Sequence, residues 1–176
     1  MKLKHAIIFA GLALFLFACS IKGENYTDMA PAFKLEEYFN GTIKAWGIVQ
    51  DTSGNIVNRF DVVIEGSYDG EKVILDELFT YYDDGRTEKR VWVITRTGPQ
   101  QYEGTAGDII GIAKGRSYGN ALHWTYQMDV PVDDTSYRLT FDDWIWAMND
   151  DVIINRSYLK KFGFTVAEVT IFMQKQ

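Results

Sequence analysis

Cysteine is nearly missing from this 176-residue sequence: Cys19 is the only one. No intramolecular disulfide can form, so the fold must be held by its core. Histidine is almost as scarce, with only His5 and His123. A zinc centre or a Ser–His–Asp set would have to rest on one of them, without a second histidine or thiol beside it. No catalytic set, metal site or cofactor is expected, and the chain reads as a non-enzyme. Positive charge is short too. Lys and Arg number 18 against 24 Asp and Glu, for a net charge of −6. An acidic chain without a basic stripe excludes nucleic acid as a partner. No segment keeps a helical period, and no repeat recurs at a fixed spacing. Apolar and aromatic residues are plentiful instead, at 47% and 15%, enough for the core of one globular domain.

The N-terminus reads as a targeting segment. Lys2, Lys4 and His5 precede an uncharged apolar run from Ala6 to Ala18. That run is too short to span a bilayer comfortably and fits a signal peptide. It ends in Leu16-Phe17-Ala18-Cys19, which resembles a bacterial lipobox, with Phe17 bulkier than the usual occupant. The resemblance implies lipidation of Cys19, which would become the mature first residue. Ser20 follows where an Asp would mark inner-membrane retention, so outer-membrane anchoring facing the periplasm is implied. The expected division is residues 1–18 signal peptide, 19–31 lipidated tether and 32–176 a single domain.

That domain reads as all-β. From Arg59 to Thr95, three alternating runs are joined by Asp69-Gly70 and Asp84-Gly85. Asp-Gly between such runs signals hairpins in which both turn residues have positive φ. Two-residue loops would set Ile64 opposite Leu75, Leu75 opposite Ile94, and Phe79 opposite Arg90. One face then carries Phe60, Val62, Ile64, Leu75, Glu77, Phe79, Arg90, Trp92 and Ile94, with Glu77 and Arg90 on a diagonal. Further strands are expected over Thr42–Val49, around Trp124 and Tyr126, from Tyr137 to Ile145, through Val152, Ile154 and Arg156, and over Phe164–Met173. Phe33, Leu35, Tyr38 and Phe39 form either one helical turn or a plug over a barrel mouth. Gly104, Gly107, Gly111, Gly115 and Gly119 fit bulges and bends of a curving sheet. The total is about nine or ten strands at hairpin spacing, favouring a single antiparallel up-and-down barrel of lipocalin or calycin type.

Several motifs are then familiar as a set: Phe33 to Gly41, Arg90-Val-Trp92, Gly104-Thr-Ala-Gly-Asp108, Gly119-Asn-Ala-Leu122, Phe141-Asp-Asp-Trp144 and Lys161-Phe-Gly163. Together they resemble an uncharacterised lipoprotein family of Gram-negative bacteria, whose domain carries no assigned function. The resemblance spans nearly all of the chain after Cys19. It implies a small periplasm-facing lipoprotein and no particular activity. The architecture also resembles bacterial lipocalins, lipid-anchored barrels that carry fatty acids or lysophospholipids. The lipocalin Gly-x-Trp opening is absent, since Gly41 and Trp46 lie further apart.

Candidate binding residues follow from face parity. Of Asp142 and Asp143, one must face inward, because adjacent strand residues point oppositely. Asp143 shares its face with Phe141 and Ile145. A two-residue turn at Asn149-Asp150 or Asp150-Asp151 would put Arg156 on that face too. Glu77–Arg90 and Asp143–Arg156 are thus two expected acid–arginine pairs among aromatics, either structural or in contact with a ligand head group. Phe79, Trp92, Trp124 and Tyr126 would line the ligand's chain. The expected function is binding of a small amphiphilic or lipid ligand in a monomeric barrel. The alternative is a filled barrel that acts as an envelope interaction or assembly factor.

Overall fold

The computed structural model describes residues 21–132 and 134–176. The expected signal peptide and Cys19 lie outside the described residues. Ten antiparallel strands form one sheet: β1 Gly41–Asp51, β2 Ile56–Tyr68, β3 Lys72–Tyr81, β4 Thr87–Gly98, β5 Gln101–Thr105, β6 Ile109–Tyr118, β7 Ala121–Val132, β8 Thr135–Ala147, β9 Val152–Lys161 and β10 Phe164–Lys175. Each pairs with its sequence neighbours, and β10 returns to β1 with Ile43 opposite Lys175 and Ala45 opposite Met173. The sheet is therefore a closed up-and-down barrel without an edge to protect.

The faces of the central meander are those the alternation predicts, but the turns differ. Ile64 lies opposite Glu77 and Leu75 opposite Trp92. Each hairpin is thus shifted by two residues from the expected register, which leaves every side chain on its predicted face. The cause is in the aspartates. Asp69 Oδ1 accepts from the backbone N–H of Glu71 at 2.8 Å and of Lys72 at 2.7 Å, and Asp84 Oδ1 accepts from Arg86 N–H at 3.1 Å. Such Asx turns lengthen the connection. Only Gly70 and Gly85 take positive φ there, not the aspartates before them. A tight turn with two positive-φ residues does occur at Phe162-Gly163.

The β8–β9 connection corrects the sequence expectation. Ala147 lies opposite Ile153, and Met148 N–H donates to Val152 O at 2.9 Å across a loop of Asn149, Asp150 and Asp151. Asn149 Oδ1 accepts from the N–H groups of Asp151 and Val152 and fixes that loop. An odd-length connection reverses the facing of the next strand. Ile153, Asn155, Ser157 and Leu159 point inward, and Arg156 points out.

One barrel end is closed. The helical turn α1, Leu35–Tyr38, buries Phe33, Leu35, Tyr38 and Phe39 in the barrel end, so the two sequence alternatives are both realised. Tyr38 Oη donates to Met173 O at 3.1 Å, and Tyr102 Oη donates to Glu36 Oε2 at 3.0 Å. The expected tether also packs on the barrel from Gly23 onward. Its 3₁₀ turn, Gly23–Tyr26, brings Tyr26 to 5.8 Å from Trp144 and 6.2 Å from Trp146. This strap buries the outward-facing Trp144 and passes Gly119, where an added Cβ would lie 1.9 Å from Tyr26 O.

Candidate functional site

A barrel of ten strands is wider than the eight-stranded kind that side chains can fill or that holds one small ligand. The interior here is open, with a cavity of about 1090 Å³. Leu35 and Phe39 of the plug floor it, and Tyr81, Arg86, Pro131, Tyr137 and Lys161 stand at the opposite, open end. Ligand sites for drug-sized molecules run from roughly 300 to 1,000 Å³.

The glycine-rich β5–β6 wall makes room for the Trp124 indole. A Cβ at Gly104 would lie 2.8 Å from the Trp124 indole, and one at Gly115 only 2.3 Å from it. Trp124 therefore lies against bare backbone. Its ring meets Trp92 edge-on at 5.7 Å, Trp92 meets Tyr126 at 5.3 Å, and Tyr126 stacks on Phe141 at 4.8 Å. Of the expected bulges and bends, Gly111 supplies one, in the irregular stretch of β6 at positive φ.

Across this aromatic wall runs a polar band. Glu77 lies directly opposite Arg90, not on the expected diagonal. Arg90 nonetheless gives its guanidinium to Asp108 in the β5–β6 connection. Nε donates to both carboxylate oxygens at 3.1 and 2.9 Å, and Nη2 donates to Oδ2 at 2.7 Å. Phe79 sits under the guanidinium, 5.5 Å from ring centre to Cζ. Glu77 accepts no hydrogen bond among the described residues, and burial pushes its carboxyl up to about 7, against the pull of Arg90. Asp143 is 8% exposed, opposite Ser157, and its Oδ1 and the Ser157 Oγ have no hydrogen-bond partner. Burial pushes Asp143 up to about 7 as well, against the pull of the facing Ser157 hydroxyl and of Arg90. The Tyr126 phenol is also raised, again by burial.

Seven of the eight predicted binding residues thus share one interior: Glu77, Phe79, Arg90, Trp92, Trp124, Tyr126 and Asp143. Arg156 does not. It lies outside, where its Nε donates to Glu168 Oε2 at 2.9 Å. The Asp143–Arg156 pair is accordingly absent, because the three-residue β8–β9 loop turns Arg156 away from Asp143. Arg156→Met is expected to change stability by less than about 1 kcal/mol, since exposed ion pairs contribute little. Urea denaturation checks this.

The sequence reading missed Asp108, Asn155 and Ser157. Asp108 reaches Arg90 only because β5 and β6 bring the turn beside β4, which no local pattern encodes. Asn155 and Ser157 do alternate with Ile153 and Leu159, but the opposite face of β9 is no less apolar. His123 lies outside, stacked on Trp144 at 4.5 Å, with Nε2 at 2.6 Å from Asp142 Oδ1. Lys160 also binds Asp142, and the His123 bond leads in holding that carboxyl below its usual range. Among the described residues no group of three or more His, Cys, Asp or Glu is placed to hold a metal ion.

A closed antiparallel barrel, plugged at one end and hollow within, defines a lipocalin-like fold of the calycin kind. The chain belongs to the family described as "Protein of unknown function (DUF3833)", whose model matches residues 13–175. No curated protein matches it. Among solved structures it is similar to the S-type phycobiliprotein lyase of Guillardia theta, at 10% identity and a TM-score of 0.57. The match covers 82% of this chain and 93% of that one, and at such identity it shows the fold alone.

Proposed function

We propose that this protein is an outer-membrane lipoprotein, anchored through acylated Cys19, whose periplasm-facing barrel carries a small amphiphilic ligand. The observation that carries the reading is the cavity: about 1090 Å³ with aromatic walls and a few convergent polar groups at its waist. A filled assembly factor would need side chains to occupy that volume, so the cavity favours the carrier. No enzymatic step is assigned to it. No described helix is long and apolar enough to cross a membrane. Charged residues on the outer faces, such as Lys44, Asp61 and Glu65, suit water better than a lipid-facing belt.

On this reading the plugged end lies toward the membrane, because Gly23, close behind Cys19, packs near it. The mouth then opens away from the anchor. Two experiments test the two halves. Cys19→Ser should move the protein out of the membrane fraction or leave an unprocessed precursor there. Recovery of wild-type protein as a soluble species without acyl mass would contradict the anchor. Titration with dodecanol, read by tryptophan fluorescence, should saturate at one site per chain, since Trp92 and Trp124 line the cavity. An unchanged spectrum would contradict the carrier.

A further inference from the structure

The chemistry of the cavity's waist narrows the ligand class, and this step rests on the carrier reading above. Fatty-acid recognition calls for a free cation or strong donor facing the head group. The cation at the waist, Arg90, is already engaged in a bidentate pair with Asp108. Other cations lining the cavity, Arg86, Lys89 and Lys161, stand toward the mouth, where Arg86 binds Glu88 and Lys161 lies over Tyr137 at 3.8 Å. What the waist offers instead is two acceptors. Asp143 is more than nine-tenths buried with an unpartnered Oδ1, and Glu77 accepts no bond among the described residues. Around them stand the faces and edges of Trp92, Trp124, Tyr126 and Phe141. Carboxylates within an aromatic enclosure attract a cation through both charge and ring quadrupoles.

We propose that the barrel selects an amphiphile with a cationic ammonium head, which Asp143 holds while Glu77 adds negative charge to the same cavity and the apolar chain lies along the aromatic wall. Inside the barrel the two carboxyls face Tyr126 from β7, Arg90 from β4 and Asp108 from the β5–β6 connection, while β9 presents Ser157 and Asn155, and β2 presents Ile64 beside Glu77. From the outer face Asp142 and His123 act on Asp143, and Asp76 acts on Glu77. With all carboxylates ionised and Arg90 charged, the waist carries a net negative charge that an ammonium offsets. The cation favours the ionised carboxylates, so its binding releases protons and strengthens as pH rises through about 7.

The test compares three probes with the same chain: dodecylammonium, dodecanoate and dodecanol, each titrated into the purified protein and followed by tryptophan fluorescence. At pH 8 the ammonium is expected to bind at least about ten-fold tighter than the carboxylate, one ion-pair's worth of discrimination. Its advantage over dodecanol should shrink several-fold at pH 5.5. The double variant Glu77→Gln, Asp143→Asn should lose the ammonium preference, read as the ratio of dodecylammonium to dodecanol affinity. The single variants should each lose part of it, and serve if the double variant folds poorly. Equal or tighter binding of dodecanoate overturns the proposal and leaves the carrier reading standing. So does an ammonium preference that survives both substitutions. Failure of all three probes to bind overturns the carrier reading itself.

Discussion

Asp143→Asn is expected to stabilise the ligand-free barrel at pH 8 by roughly 4 kcal/mol and to leave it nearly unchanged at pH 4. The ordinary Asp value is 3.8, and burial raises Asp143 to about 7 in the folded barrel. A carboxyl whose folded value exceeds its unfolded value binds its proton more tightly in the folded state. Its favourable contribution is full below about pH 4 and is lost as pH rises through about 7. Above that, the folded chain holds a buried carboxylate with an unpartnered oxygen. Asparagine keeps the shape and cannot ionise. Wild-type stability should therefore fall between pH 4 and 8 while the variant's curve is flatter, with Glu77 supplying the remaining slope. Urea denaturation across that range measures both. Parallel curves with no gain at pH 8 would mean that Asp143 ionises at no cost.

The second large effect concerns the plug. A Cβ at Gly66 of β2 would lie 1.9 Å from Phe39 O and 2.9 Å from Phe39 C, both backbone atoms. No side-chain rotation relieves such a contact. Gly66→Ala must lift the chain at the end of α1, and with it the buried Phe33, Leu35, Tyr38 and Phe39. A loss on the order of 3 kcal/mol is expected, at the upper end for overpacking. Thermal melts read the loss, and limited proteolysis between Phe33 and Gly41 should show the freed plug. A variant that melts like wild type and resists cleavage there would show that the plug is not seated on Gly66.

The same two sites mark what was legible in the sequence. Period-two alternation placed Glu77, Phe79, Arg90 and Trp92 inside, although both turns were longer than their Asp-Gly pairs suggested. A slip of two residues keeps every face. Asn149-Asp150-Asp151 was different. Three consecutive turn-formers leave the loop's parity open, and one residue of length decides whether Arg156 or Ser157 faces Asp143. Sequence parity pairs the buried acid with an arginine, and the fold sets the Ser157 hydroxyl opposite it instead. The pairing of Arg90 with Asp108, and the close fit of Gly104 and Gly115 to Trp124, depend on strands side by side in the sheet. Neither has a local signature. The cavity itself depends on ten strands closing with rings at the wall instead of the centre, which composition cannot reveal.

A buried carboxyl with an unpartnered oxygen lowers stability, and its place within an aromatic wall suits a binding site better than a filled core. If the cavity takes up an amphiphile, native mass spectrometry of the purified protein, mixed with a total membrane-lipid extract, will show one bound amphiphile per chain, displaced by excess dodecanol. Ligand-free mass alone, with the extract in excess, would contradict that uptake.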